Sequence, residues 1–103
     1  MKKKPKPTLL ISPTEGFLNW LKKTYPGRAV VKPEGYTDDN TVSYTLPDIR
    51  DEDEFGGWLK QNYRVILKNE LIAWHVDHKN WPQIPDMEQL RMWFDLRFVE
   101  AQK

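Results

Sequence analysis

One spacing of large apolar residues occurs three times in this chain and constrains the fold more than any other feature. Aromatic or aliphatic residues stand at positions i, i+3, i+4 and i+8 from Phe55 to Tyr63, and the same spacing starts at Phe17 and at Leu90. These positions lie on one side of an α-helix. The sequence therefore predicts three amphipathic helices that share a Trp-rich core.

Length and composition limit the classes of protein to which the chain can belong. A length of 103 residues fits one domain. We predict a flexible basic arm over residues 1–7 and a single globular domain over 8–103, with Thr8–Ile11 as its extended lead-in. A net charge of +1 gives no overall attraction to nucleic acid or an anionic membrane, and zero cysteines exclude disulfides and thiolate chemistry. No apolar run has the length of a signal peptide or membrane span, so we expect a cytoplasmic protein.

The first half of the domain is predicted to contain one helix and one β-hairpin. Ser12 and Glu15 have the spacing of a capping box, which predicts a helix over Pro13–Thr24. Ala29–Lys32 is a β-branched run, and Thr41–Leu46 alternates as a strand does. A segment rich in Gly, Asp and Asn separates them. An antiparallel hairpin is the natural interpretation.

The second predicted helix is long and has an alternative. Asp51 and Glu54 form another capping box, and an apolar stripe continues from there to Trp74. Arg64–Val76 could instead form a hairpin, because it is rich in Val, Ile, Leu and Trp. We favour the helix because the turn between those two strands would lack glycine.

A third helix is predicted after the loop over residues 75–85. Asp86 is its N-cap, and Gln89 stands three residues later, as in a capping box. The predicted helix continues through Phe98 toward Glu100. The predicted fold is α+β, with three amphipathic helices packed on a short antiparallel β-hairpin in the order α-β-β-α-α. The alternative is α-β-β-α-β-β-α with a four-stranded sheet.

About half of the chain resembles a group of small, uncharacterised bacterial proteins. The matching residues are Tyr44, Thr45, Leu46 and Pro47, the acidic turn before Phe55, Trp58, Leu59, Asn62, Tyr63, Ile66, Leu67, Glu70, Leu71, Trp74, Trp81, Pro82, Trp93, Phe94 and Asp95. The resemblance implies a bacterial cytoplasmic protein in which the Asn62–Trp74 segment is helical. It implies no activity, substrate, cofactor or catalytic residue.

Two surfaces are candidates for binding a protein. On the third predicted helix, Met92, Leu96 and Val99 lie opposite the core face. That second apolar face is either sandwiched between the hairpin and another helix, or it meets a partner or a second copy of the chain. Asp51 and Asp53 belong to an acidic block that could also meet a partner. We therefore predict a non-catalytic protein-binding or regulatory module.

An alternative function is association with nucleic acid. Lys2, Lys3, Lys4 and Lys6 form a basic arm of the kind that contacts phosphates, and Trp81 could stack on a base. The same features also fit a solubilising tail and a loop Trp that covers the core. The acidic block over residues 48–54 would repel a phosphate backbone unless it lay on the opposite face.

The third functional hypothesis is a metal-dependent enzyme. His75, Asp77 and His78 offer two imidazoles and a carboxylate within one loop, and a loop can converge such ligands on zinc. The alternative is a solvated loop with hydrogen-bonded histidines. No Gly-rich phosphate loop, Ser–His pairing or dinucleotide fingerprint is present. We therefore expect no cofactor, and enzyme is the less favoured class.

Glu70 is a candidate buried acid. At 100° per residue from Phe55 it falls between Leu59 and Tyr63, inside the apolar arc of the second predicted helix. Three roles are open for it: a residue at the edge of the arc paired to a cation or a Trp N–H, a buried structural partner, or a catalytic acid.

Overall fold

The chain folds as three helices and a three-stranded antiparallel sheet. The computed structural model describes residues 6–37, 39–83 and 86–100. The elements in chain order are β1 (Thr8–Pro13), α1 (Glu15–Thr24), β2 (Val42–Thr45), α2 (Glu52–Ala73), a 3₁₀ turn (His78–Asn80), α3 (Met87–Trp93) and β3 (Phe94–Val99). The predicted α+β class is therefore confirmed, whereas the predicted order of elements is not.

β1 is the central strand of the sheet. The strand order is β2-β1-β3, and β1 is antiparallel to both neighbours. Leu9 lies opposite Tyr44 on one side and Phe98 on the other, and Ile11 lies opposite Leu96 on β3. Leu9 and Ile11 are both 0% exposed. Because successive side chains alternate between the two faces of a strand, these residues share the face that carries the core.

The predicted hairpin is wrong in its partner strand. Val42–Thr45 does form a strand, but it pairs with β1 rather than with Ala29–Lys32. Residues 29–32 contain no strand, and the side chain of Val31 is 71% exposed. Leu9 and Ile11 of β1 bury their apolar side chains in the core, whereas the side chains of residues 29–32 are exposed. Burial of apolar surface therefore favours β1 over residues 29–32 as the strand that pairs with β2.

α1 begins two residues later than predicted. Thr14 is the N-cap, and its Oγ1 accepts a hydrogen bond from the Phe17 N–H at 3.2 Å and donates to the Met92 carbonyl at 2.8 Å. Its own N–H donates to the Trp93 carbonyl at 2.9 Å. Ser12 lies in β1, so the capping box predicted from Ser12 is wrong. Through its hydrogen bonds to Met92 and Trp93, Thr14 connects the start of α1 to the end of α3.

α2 is a single helix, as predicted. Asp51 is its N-cap and accepts a hydrogen bond from the Glu54 N–H at 2.9 Å. The helix continues through Gly56 and Gly57 to Ala73. The alternative with a second hairpin and a four-stranded sheet is therefore wrong.

α3 is shorter than predicted. Asp86 caps it and accepts from the Gln89 N–H at 2.8 Å, as the sequence indicated. The helix ends at Trp93 and the chain enters β3 directly, so the predicted continuation through Phe98 is wrong. From Phe94 onward, antiparallel pairing with β1 replaces helical hydrogen bonds.

The change from helix to strand separates the residues of the predicted second helical face. Met92 lies on α3 and is 62% exposed. Leu96 lies opposite Ile11 on the inner face of the sheet. Val99 is an odd number of residues further along β3, so its side chain points to the outer face. Met92, Leu96 and Val99 therefore do not form one helical stripe.

Aromatic residues from every helix meet in the core. Phe17 is 0% exposed, and its ring centroid lies 4.7 Å from that of Phe94 and 5.7 Å from that of Trp74. The Trp20 and Trp93 centroids are 4.6 Å apart. A second group on the inner face consists of Phe55, Trp58 and Phe98. These clusters are the Trp-rich packing that the repeated spacing predicted.

Candidate functional site

A cavity of about 300 Å³ lies where the ends of α1 and α2 meet the loop that follows α1. Its volume is at the lower end of the range for ligand pockets. The lining side chains comprise an apolar floor, a polar wall and an apolar rim. They are Leu21 and Trp74 on the floor, Tyr25, Arg28 and His75 in the wall, and Ala29, Val30 and Val31 on the rim.

Arg28 is the charged residue of the polar wall. Its guanidinium carbon lies 4.0 Å from the centroid of the Tyr25 ring, and its Nη1 donates to the His75 carbonyl at 3.0 Å. The side chain is exposed, and the described residues place no carboxylate within ion-pair distance of it. Guanidinium groups have five N–H donors in a fixed fork that suits carboxylates. The Arg28 guanidinium is therefore held in place by His75 and Tyr25, and its remaining N–H groups can donate to an anion.

The rest of the polar wall is fixed by the way α2 ends. His75 has a φ of 59°, a left-handed conformation that stops the helix and turns the chain toward Asp77. The Tyr25 hydroxyl then accepts hydrogen bonds from the Asp77 N–H and from Asn80 Nδ2, both at 2.8 Å. These bonds join the end of α1 to the segment after α2, so the two sides of the cavity are held together.

A buried hydrogen-bond network lies behind the cavity floor. Glu70 is 1% exposed, and its carboxylate accepts hydrogen bonds from the hydroxyls of Tyr36 and Tyr44. The Trp74 indole N–H, which belongs to the cavity floor, donates to the Tyr36 hydroxyl at 3.2 Å. Within the described residues, every buried side-chain polar atom has a hydrogen-bond partner. The structure thus gives Glu70 a buried position with two phenol donors.

The network changes the acidity of both phenols. Burial raises the pKa of Tyr36 well above its usual range, and the hydrogen bond to Glu70 and the negative charge of that residue raise it further. The pKa of Tyr44 is raised by the same causes in the same order. Both hydroxyls therefore stay protonated and act as donors.

This network connects three segments that are distant in the sequence. Tyr36 lies in the long loop between α1 and β2, Tyr44 lies on β2, and Glu70 lies on α2. The carboxylate joins these three segments, and its oxygen atoms face donors from the protein itself. The cavity beyond Trp74 has an apolar floor and the Arg28 cation in its wall.

The histidines of the proposed metal site are not brought together with other ligands. Among residues 6–37, 39–83 and 86–100, no three His, Asp or Glu side chains lie close enough to hold a metal ion. His75 contributes to the cavity wall, whereas the His78 ring packs edge-on against Trp81 with centroids 4.4 Å apart. Asp77 is exposed and contributes its backbone N–H to the bond with Tyr25.

The residues of the nucleic-acid hypothesis are placed only in part. Lys2, Lys3 and Lys4 lie outside the described residues, and Lys6 is exposed. Trp81 is half-buried, and its indole N–H donates to the Val76 carbonyl at 3.0 Å. With Pro82 it lines a smaller groove of about 190 Å³ against α2. Trp81 therefore covers α2 instead of standing free in solvent.

The acidic residues predicted to meet a partner lie at the start of α2. Asp51 is engaged as the N-cap, and Asp53 is exposed in the first turn. Arg50 pairs with Glu54 at 3.0 Å beside them, which lowers the pKa of the Glu54 carboxyl through the hydrogen bonds and charge of Arg50.

Comparison with known proteins adds no relative from which a function could be carried over. Neither protein-family models, nor curated protein sequences, nor solved structures match this chain. In the part of the chain that the structure describes, no helix has the length and apolar character needed to cross a membrane.

Sequence reasoning missed the cavity because its lining comes from three separate segments. The available signal was the loop over residues 26–41, which is long for a connection in a compact domain. Within it, Arg28 precedes the apolar run of Val30 and Val31. The sequence predicts a strand for that run, whereas in the structure its side chains form the rim of the cavity.

Proposed function

We propose that the chain is a non-catalytic protein-binding module whose cavity accepts one apolar side chain of a partner protein. An acidic residue of the partner, next to that side chain, pairs with Arg28. The observation that carries the proposal is the exposure of the rim, where Val30 is 40% and Val31 is 71% exposed beside Arg28, whose guanidinium forms no ion pair with a described residue. Apolar surface that continues outside a cavity favours a partner larger than the cavity.

The geometry favours a protein over a small molecule. A ligand of the size of the cavity would contact Leu21 and Trp74 but would cover only the part of the exposed Val31 side chain that lines the cavity. A protein segment that inserts one side chain covers the rim with its neighbouring residues. Protein interfaces typically combine a buried apolar centre with arginine, and a side chain anchored in a pocket often dominates their affinity.

Selection from a displayed library of random peptides tests this proposal. The wild-type protein should enrich peptides that carry a large apolar residue next to Asp or Glu. An enriched peptide, labelled with a fluorophore, should bind Arg28→Glu at least about tenfold more weakly, because a hydrogen bond to a charged group contributes roughly 1.5–3 kcal/mol. Val31→Ser should also weaken binding, through lost apolar contact.

Arg64→Glu is the matched control. Arg64 is another exposed arginine, and it lines the smaller groove with Trp81 and Pro82. Its reversal should leave the peptide affinity unchanged. Enriched peptides that bind the Arg28 and Val31 variants as tightly as the wild type would refute the proposal, and a loss on Arg64→Glu alone would move the binding site to the smaller groove.

A further inference from the structure

β3 is an edge strand with one side open. It lies at the end of the sheet, and within the described residues it pairs with β1 alone. Antiparallel hydrogen bonding alternates along a strand, and the bond from the Thr14 N–H to the Trp93 carbonyl sets its phase. The backbone groups of Asp95 and Arg97 therefore face β1. Those of Leu96, between them, point away from the sheet.

The sequence of β3 is complementary to itself in antiparallel orientation. If a two-fold axis passes beside Leu96, Asp95 lies opposite Arg97 of a second copy, and Phe94 lies opposite Phe98 of that copy. Both charged side chains are exposed, and neither forms an ion pair with another described residue. Opposite charges placed directly across a pair of antiparallel strands stabilise the pairing.

We propose that two copies of the chain associate through their β3 edges about this axis, which joins two sheets into one of six strands. The Leu96 N–H of each copy donates to the Leu96 carbonyl of the other. The Phe98 N–H donates to the Phe94 carbonyl across the axis. The Phe94 N–H takes no part, because it already donates to the Leu90 carbonyl at the end of α3.

A groove on the inner side of the edge leaves room for the second strand. It has a volume of about 260 Å³ and is lined in part by Phe55, Gly56, Leu96 and Phe98. A Cβ on Gly56 would have no atom within 4 Å, so nothing in the described chain fills this space. Leu96 and Phe98 are half-buried. Pairing of two edges brings the Leu96 side chains together at the axis and removes further apolar surface from water.

A second copy fits this edge better than an unrelated strand does. Asp95 and Arg97 lie on either side of Leu96, so an antiparallel second copy places opposite charges across the contact at both positions. The contact is isologous and closes on itself as a dimer. The opposite edge of the sheet, β2, has four residues with Ser43 and Thr45 on its outer face. Short polar edges resist further pairing, so growth stops at two copies.

Sedimentation velocity across a wide range of protein concentration tests the dimer. The wild type should show a monomer–dimer equilibrium. Asp95→Arg and Arg97→Asp each place like charges opposite one another at both ends of the contact, and each should weaken dimerisation at least about tenfold. The double variant Asp95→Arg/Arg97→Asp restores opposite charges and should regain the wild-type constant.

Mixing the two single variants gives the sharpest outcome. Each variant carries one sign of charge on β3, so the mixture should form heterodimers at concentrations where each variant alone is mostly monomeric. Arg64→Asp is a reversal on α2, away from this edge, and should leave dimerisation unchanged. If either reversal unfolds the chain, Asp95→Asn and Arg97→Gln take its place, and each should weaken dimerisation by a smaller factor. A wild type that stays monomeric at every concentration, or a dimer that the reversals leave intact, overturns the proposal.

Discussion

Removal of the phenol hydroxyls that surround Glu70 should destabilise the fold in a graded way. Glu70 is 1% exposed, and no cation among the described residues pairs with it. Its carboxylate depends on the hydroxyls of Tyr36 and Tyr44. Tyr36→Phe and Tyr44→Phe each remove one donor and keep the ring, so the core volume is nearly unchanged.

The hydrogen bonds set the expected magnitudes. Tyr44→Phe removes one bond to a charged acceptor, and we expect a loss of roughly 1.5–3 kcal/mol in the free energy of unfolding. Tyr36→Phe also removes the acceptor of the Trp74 indole N–H, so we expect about 1 kcal/mol more. The double variant leaves the buried carboxylate without a phenol donor and should be the least stable of the three.

Urea unfolding followed by far-ultraviolet circular dichroism measures these losses, with the denaturant slope as a check on two-state behaviour. The triple variant Tyr36→Phe/Tyr44→Phe/Glu70→Met is the matched control. It removes the carboxylate together with its two donors, and should be more stable than the double variant because no buried carboxylate is left without a donor. The Trp74 indole N–H lacks the Tyr36 acceptor in both variants, so its loss does not affect the comparison. A double variant as stable as the wild type, or a triple variant less stable than the double, would refute this account of Glu70.

Three further predictions concern pH and local structure. The raised pKa values of Tyr36 and Tyr44 contribute stability that is fully present below about pH 10, the unfolded value, and is lost as pH rises above it; wild-type unfolding free energy should therefore fall more steeply in this alkaline range than that of the double Phe variant. Gly57→Ala should raise the unfolding free energy by about 0.8–1.0 kcal/mol, measured by urea titration, because Gly57 is exposed inside α2 and an added Cβ meets no atom within 4 Å. Thr14→Val should lower it by roughly 1–2 kcal/mol in the same assay, because it removes the cap of α1 and the bond to the Met92 carbonyl.

The elements that the sequence predicted well are those specified by neighbouring residues. Asp51 and Asp86 each cap a helix by accepting from an N–H three residues later, and that spacing is visible in the chain. The apolar stripe of α2 likewise repeats within each turn, so α2 was identified in spite of Gly56 and Gly57. Such local signals need no knowledge of distant partners.

The elements that were missed depend on contacts between distant residues. Phe94, Leu96 and Phe98 alternate as in a strand, yet Leu90 and Phe94 also continue a helical spacing. Pairing with β1 decides between the two, and β1 lies near the other end of the described chain. The predicted hairpin is wrong for the same reason, because β2 pairs with the distant strand β1 and not with Ala29–Lys32, which is closer to it in the sequence.

The cavity illustrates a further limit. Val30 and Val31 have the composition of a strand, and their exposure follows only from where the ends of α1 and α2 place the loop. The same holds for Glu70, whose helical position put it in an apolar arc but whose partner Tyr36 comes from a loop with no regular structure. A helical wheel identifies the carboxylate and leaves its donors unknown.

The central position of β1 has a consequence for how the protein is made. β1 leaves the ribosome before the other described elements, but its partner β3 follows after α1, α2 and α3, so the sheet stays incomplete until these helices have been made. Until Phe94–Val99 arrives, one side of β1 offers unpaired backbone groups next to the apolar side chains of Leu9 and Ile11. An unpaired strand edge beside apolar side chains favours aggregation, so we expect a chain truncated shortly before Phe94 to aggregate instead of forming a smaller folded domain.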